Sequence, residues 1–74
     1  MTPCAVMVRR PGAPSGRLDF YRPGRPYYPG PAIAWRRAVV LARAYPALVI
    51  SLETCNGRPL ATLAHGRVYQ GRIP

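Results

Sequence analysis

The chain has no lysine and only two acidic residues, Asp19 and Glu53, against eleven arginines in 74 residues, for a formal net charge of +9. One histidine (His65), two carboxylates and two cysteines leave few groups to serve as acid, base or nucleophile, so the chain reads as a non-enzyme. Cys4 and Cys55 have neither metal-ligand spacing nor the density of a secreted disulfide framework; free thiols are the expectation, with a single disulfide as the alternative. With no phosphate loop and no nucleotide fingerprint, neither a cofactor, a metal nor a small-molecule substrate is expected. The longest apolar run, Ala38 to Ala42, is far short of the roughly 20 residues of a membrane span. Met1 to Val8 lacks the early basic region of a signal peptide, so a cytoplasmic protein without a membrane partner is expected.

Backbone signals are plentiful. Asn56-Gly57 is a strong hairpin signal, because both residues tolerate the positive φ of a type I′ turn. A two-residue loop there predicts Cys55 opposite Arg58, Glu53 opposite Leu60, Leu52 opposite Ala61, Ser51 opposite Thr62 and Ile50 opposite Leu63. This register puts Leu48, Ile50, Leu52, Ala61 and Leu63 on a core face. It puts Ser51, Glu53 and Thr62 on a partly wet face, with Val49 and Leu60 among them. His65-Gly66 closes a second turn, with His65 read as a turn residue and not a ligand. Arg67 to Gln70 then returns as a third strand, with Val68 opposite Leu63 on the core side.

Upstream, Ala5-Val6-Met7-Val8 is β-prone and is ended by breakers from Pro11 to Gly16. Arg17 to Tyr21 follows as a partner strand, with Leu18 and Phe20 on one face. Residues 22–31 are dense in Pro and Gly and read as an extended, partly polyproline-like crossing segment. Gly30-Pro31 marks a helix start, since proline at the first helical position gives up an N–H that has no partner there anyway. The helix is predicted from Pro31 to Tyr45 and stopped by Pro46. Its stripe is Ala34, Trp35, Ala38, Leu41, Ala42 and Tyr45, with the alanines allowing close approach to a sheet and Trp35 and Tyr45 plugging the ends. The expected architecture is α+β, a single small domain over 1–74. One helix of about 31–45 lies on a mostly antiparallel sheet of about five short strands in the order β-β-α-β-β-β, closed by a meander over about 47–73.

The arginine excess creates a long-range positive field that attracts polyanions or acidic protein surfaces. Exclusive use of arginine fits GC-rich coding, while the planar guanidinium also suits bidentate phosphate contacts and stacking. The candidate partner-binding residues fall into three groups. These are the helix face (Arg36, Arg37, Arg43), the hairpin tips (Arg58, Arg67), and the proline-rich loops (Arg22, Arg25, with Arg9 and Arg10) interleaved with Tyr27 and Tyr28. For the two tyrosines, packing under the helix and contact with a partner stand as equal alternatives, and Trp35 is read as core. Arginine with exposed aromatics suits single-stranded nucleic acid.

The strand Ile50-Ser-Leu-Glu-Thr-Cys-Asn-Gly57, preceded by a helix and followed by an apolar strand, a glycine turn and a basic-aromatic strand, resembles the small phage anti-CRISPR inhibitors of type I-F systems. Those inhibitors also place two strands before the helix. The resemblance implies a phage-encoded, non-enzymatic inhibitor in the bacterial cytoplasm that binds a type I CRISPR effector complex, through its protein subunits and with guide RNA or target DNA as further contacts. A chain this basic cannot mimic DNA, which would require acids, so inhibition would be by steric blockage or misdirection. The alternative is a small basic accessory protein that binds DNA or RNA directly.

Overall fold

The computed structural model describes residues 2–70. Six elements follow one another: β1 (Cys4–Arg9), β2 (Arg17–Asp19), α1 (Pro31–Ala44), β3 (Val49–Thr54), β4 (Pro59–Ala64) and β5 (Arg67–Gln70). The strands form one antiparallel sheet in the order β2-β1-β3-β4-β5, so β1 leaves its hairpin with β2 to pair with β3 on its other side. The α+β class and the order of elements are those the sequence predicts. The second strand ends at Asp19 instead of Tyr21, the helix ends one residue early, and residues 71–73 of the expected meander lie outside the described residues.

Helix α1 begins on Gly30 with Pro31 in its first turn and is capped by Tyr45, whose N–H donates to the Leu41 carbonyl at 2.8 Å. Pro46 prevents continuation. Ala34 and Ala38 are fully buried and Leu41 nearly so, which lets the helix lie close over Val6, Ile50, Leu52, Ala61 and Leu63. Complete burial of Ile50 alone is worth about 1.5–3 kcal/mol. The helix packs on β1, β3 and β4. Trp35 and Tyr45 do not plug its ends: Tyr45 is 55% exposed, and Val39 and Ala42 provide the partly buried flank instead. At 100° per residue Trp35 lies about 60° outside the arc of Ala34, Ala38 and Leu41, whereas Tyr45 falls within that arc but is the C-cap (φ −129°, ψ 72°), where the chain has left the helix.

The two meander turns differ from each other. At the first, the Gly57 N–H donates to the Thr54 carbonyl at 2.9 Å, the Thr54 N–H to the Arg58 carbonyl at 2.9 Å, and the Arg58 N–H to Thr54 Oγ1 at 3.0 Å. Only Gly57 (φ 84°) has positive φ there, so the loop is Cys55-Asn56-Gly57, a type I turn followed by a left-handed glycine, and not the expected type I′ turn at Asn56-Gly57. Thr54 ties the loop together, since its carbonyl accepts the Gly57 amide and its hydroxyl the Arg58 amide just past the loop. The extra loop residue shifts the register by one near the tip. Glu53 pairs with Pro59 instead of Leu60, while Leu52–Ala61, Ser51–Thr62 and Ile50–Leu63 pair as predicted. Leu60 absorbs the shift and packs against the core instead of joining Glu53 on the outer face. The type I′ turn lies at His65 (φ 54°) and Gly66 (φ 72°), with Ala64 opposite Arg67 and Leu63 opposite Val68 as expected.

The segment 22–31 is bent as well as extended. Arg22 and Arg25 exchange backbone hydrogen bonds across Pro23-Gly24, and Arg10-Pro11-Gly12-Ala13 closes in the same manner, with the Ala13 N–H donating to the Arg10 carbonyl at 3.0 Å. Gly12 (φ 78°) and Gly24 (φ 77°) take the third position that a type II turn gives to glycine, with proline before each. The Arg-Pro-Gly triplet is therefore one turn module used twice. Beyond the second copy, Tyr28 and Cys4 exchange backbone hydrogen bonds of 2.7 and 3.0 Å, which fixes the segment beside β1 and orients the chain into α1.

Candidate anion-binding surface

An antiparallel sheet returns alternate strand ends to the same side. The pairings Val8–Arg17, Arg9–Val49 and Ala64–Arg67 put the end of β1, the starts of β2, β3 and β5, and the end of β4 together. Helix α1 joins them, because only Tyr45 to Leu48 separate its last turn from β3. Arg9, Arg10, Arg17, Arg43 and Arg67 consequently share one end of the molecule with His65, across roughly 19 Å of sheet at the usual strand spacing. All but Arg9 are exposed. Glu53 lies toward the opposite end, paired with Ala5 and Pro59. Asp19 is two residues along β2 from Arg17, but its carboxylate is already committed. It accepts the Tyr28 hydroxyl hydrogen and pairs with Arg37 Nε at 2.9 Å and Nη2 at 3.3 Å. Among the described residues this is the one ion pair.

The eleven predicted partner-binding residues separate accordingly. Arg9, Arg10, Arg43 and Arg67 meet at the basic end. Arg58, grouped with Arg67 as a hairpin tip, lies at the far end of β4 with Arg22 and Arg25. Arg36 is exposed on the outer side of α1, two turns from Arg43. Arg37 has its guanidinium tied to Asp19, which holds its pKa above the ordinary arginine value. Tyr28 is 4% exposed, which settles its two alternatives in favour of packing. Its ring sits 5.2 Å from that of Tyr21, on which Arg22 stacks at 5.0 Å. Tyr27 remains exposed. Arg17 and His65 are the members of the basic end that sequence reasoning left outside every cluster. The signal that finds them is the topology, because only the antiparallel return brings residue 17 level with residues 43 and 67.

At this end a cleft of about 280 Å³ opens between the last turn of α1 and β5. Its walls are Val39, Ala42, Pro46, Leu48, Leu63 and Val68, with Arg43, His65 and Arg67 around it. The cleft exists because α1 stops over β4. Leu63 is covered while Val68, its partner on β5, is 58% exposed, in contrast to the core position expected for it. No helix among the described residues covers the opposite face of the sheet, yet Val49 and Thr62 are buried there, so that face is less wet than the alternation suggests.

Both cysteines are free thiols, Cys4 buried and Cys55 exposed on the first meander loop. Burial, and then the neighbouring Cys55, push the Cys4 thiol above its ordinary pKa. No group of three or more His, Cys, Asp or Glu side chains suited to hold a metal occurs among the described residues, and no helix among them is long and apolar enough to cross a membrane.

Comparison with known proteins adds no relative to this geometry: no family model, no curated protein and no solved structure matches the chain.

Proposed function

We propose that the protein is a small, non-enzymatic nucleic-acid-binding protein of the bacterial cytoplasm that holds the phosphate backbone with the arginines at one end of its sheet. The observation that carries this reading is the gathering of Arg9, Arg10, Arg17, Arg43 and Arg67 with no free carboxylate beside them among the described residues. Five positive side chains at one end of so small a domain raise the local positive potential, and a polyanion relieves it while releasing its own counterions. Arginine forks match phosphate oxygens bidentately, so the surface supplies affinity without reading sequence.

The test is affinity for a single strand and for a duplex across a salt series. With all five arginines engaged, the slope of log affinity against log salt approaches roughly −3.5 for a single strand and about −4.5 for a duplex. Binding that is flat in salt, or absent, overturns the reading.

The order β-β-α-β-β-β, on which the resemblance to type I-F anti-CRISPR inhibitors rested, favours a second reading. In it the same arginines grip an acidic subunit surface or the guide RNA of a type I effector complex and block or misdirect its binding to target DNA. Capture of a purified type I effector that survives high salt, with no retention of bare nucleic acid, selects this reading over the first.

A further inference from the structure

The cleft between α1 and β5 combines two chemistries that a backbone-only binder does not need. Phosphates suit arginines, and Arg43 on α1 and Arg67 on β5 are among the residues that line the cleft. The apolar walls between them contribute nothing to a phosphate, and Val68 in particular is a large aliphatic side chain held out at a charged end of the molecule. At about 280 Å³ the cleft falls just below the range of roughly 300–1,000 Å³ that accommodates drug-sized ligands, so it has room for a single ring system. We propose that it seats one unpaired base of a single-stranded nucleic acid, edge-in between Pro46 and Val68, with the flanking phosphates on Arg43 and Arg67. The occupant must be anionic on both sides of an apolar body, and a nucleotide within a strand meets that requirement.

This inference rests on the nucleic-acid reading and narrows it to single strands. A duplex keeps its bases stacked and cannot enter the cleft, whereas an unpaired base gains the contact at little unstacking cost. The partly buried Val39 and Ala42 give the seat a rigid wall, since they are held by the helix and not by a loop.

The experiment compares the full chain binding to an oligonucleotide single strand and to a strand of the same length and charge in which every base is replaced by an abasic site. The base-bearing strand is expected to bind several-fold more tightly, at about the low end of what a base stacked on an aromatic ring contributes, because the walls of the seat are aliphatic. Val68→Ser, at an exposed position on an edge strand, should largely abolish that ratio while leaving the salt slope unchanged; circular dichroism confirms that the variant is folded. Photo-crosslinking from a thio-substituted pyrimidine should mark the peptides carrying Pro46 or Val68. Equal affinity for the two strands, both steep in salt, overturns the base seat and leaves the phosphate-binding reading intact. No affinity for either strand overturns both, and crosslinks confined to Phe20 or Tyr27 overturn the seat by moving the base elsewhere.

Discussion

The hydroxyl of Tyr28 donates to the carboxylate of Asp19, and this contact joins the proline-rich segment to β2. Arg37 completes the arrangement from α1 at 2.9 Å, so three separate stretches of chain meet on one carboxylate. Burial pushes Tyr28 up to about 12, with the hydrogen bond to Asp19 adding to the effect. Burial also works to raise the Asp19 pKa, but the hydrogen bonds from Arg37 and Tyr28 outweigh it and bring that carboxyl below its ordinary value. In the folded protein Asp19 therefore holds its proton more weakly than in the unfolded chain, and Tyr28 holds its own more strongly.

Stability should consequently fall at both extremes of pH. The Asp19 contribution is present above the unfolded value of about 3.9 and is lost as pH drops through the lower folded value. The Tyr28 contribution is complete below about 10, its unfolded value, and is lost as pH rises toward about 12. Melting temperatures followed by circular dichroism across pH should form a plateau between the two limbs. In Tyr28→Phe the plateau should drop and the alkaline limb should flatten; an unchanged alkaline limb would mean that the Tyr28 hydroxyl is not the group responsible.

Removing Asp19, the shared partner of Tyr28 and Arg37, should not cost the same as removing Arg37 alone. Asp19→Ala strands the part-buried Tyr28 hydroxyl and should cost about 1.5–3 kcal/mol in urea denaturation, the range for a hydrogen bond to a charged group. Arg37→Ala should cost less than about 1 kcal/mol, because its side chain is 45% exposed and solvent screens the pair. A larger loss for Arg37→Ala would mean that the arginine, and not the tyrosine, holds the seam together.

Gly16 is required for space. A Cβ built there would lie 2.4 Å from the Val8 carbonyl oxygen and 2.8 Å from Arg9 Cβ, where the loop passes against β1. Gly16→Ala should cost about 1–3 kcal/mol through displaced backbone. Gly57 is the opposite case, since a Cβ there meets nothing within 4 Å but φ is 84°. Gly57→Asn should be nearly neutral, because asparagine tolerates the left-handed region, whereas Gly57→Val should impair folding. Denaturation midpoints for the three variants check the distinction.

These contrasts show which features were legible in the sequence. The helix start at Gly30-Pro31, its stop before Pro46, and the pairing of Ile50 with Leu63 follow from local chemistry and periodicity, and they appear where the residues place them. The turn at Asn56-Gly57 went otherwise because a side chain outside the dipeptide, the Thr54 hydroxyl, accepts the amide of Arg58 just past the loop. The role of Tyr28 was open for a different reason. Its partners Asp19 and Arg37 lie 9 residues before and 9 after it in sequence, and nothing in their spacing announces that they converge. The basic end has the same origin, since charge content is visible in the composition and its placement is a property of the topology.

The two thiols should separate cleanly by reactivity. Cys55 is exposed on the first meander loop, whereas Cys4 is buried in the core cluster and has its pKa raised by burial and by Cys55. The thiolate is the reacting species, so both shielding and the raised pKa slow Cys4. A disulfide-exchange reagent at neutral pH should titrate one thiol per chain rapidly, and the second only as fast as the protein opens. Mass spectrometry after brief labelling should place the first adduct on Cys55, and mild denaturant should accelerate labelling of Cys4 alone. Rapid labelling of both in the native protein would show that the β1 end of the core, where Cys4 pairs with Thr54 and Tyr28, opens far more readily than its hydrogen bonds imply.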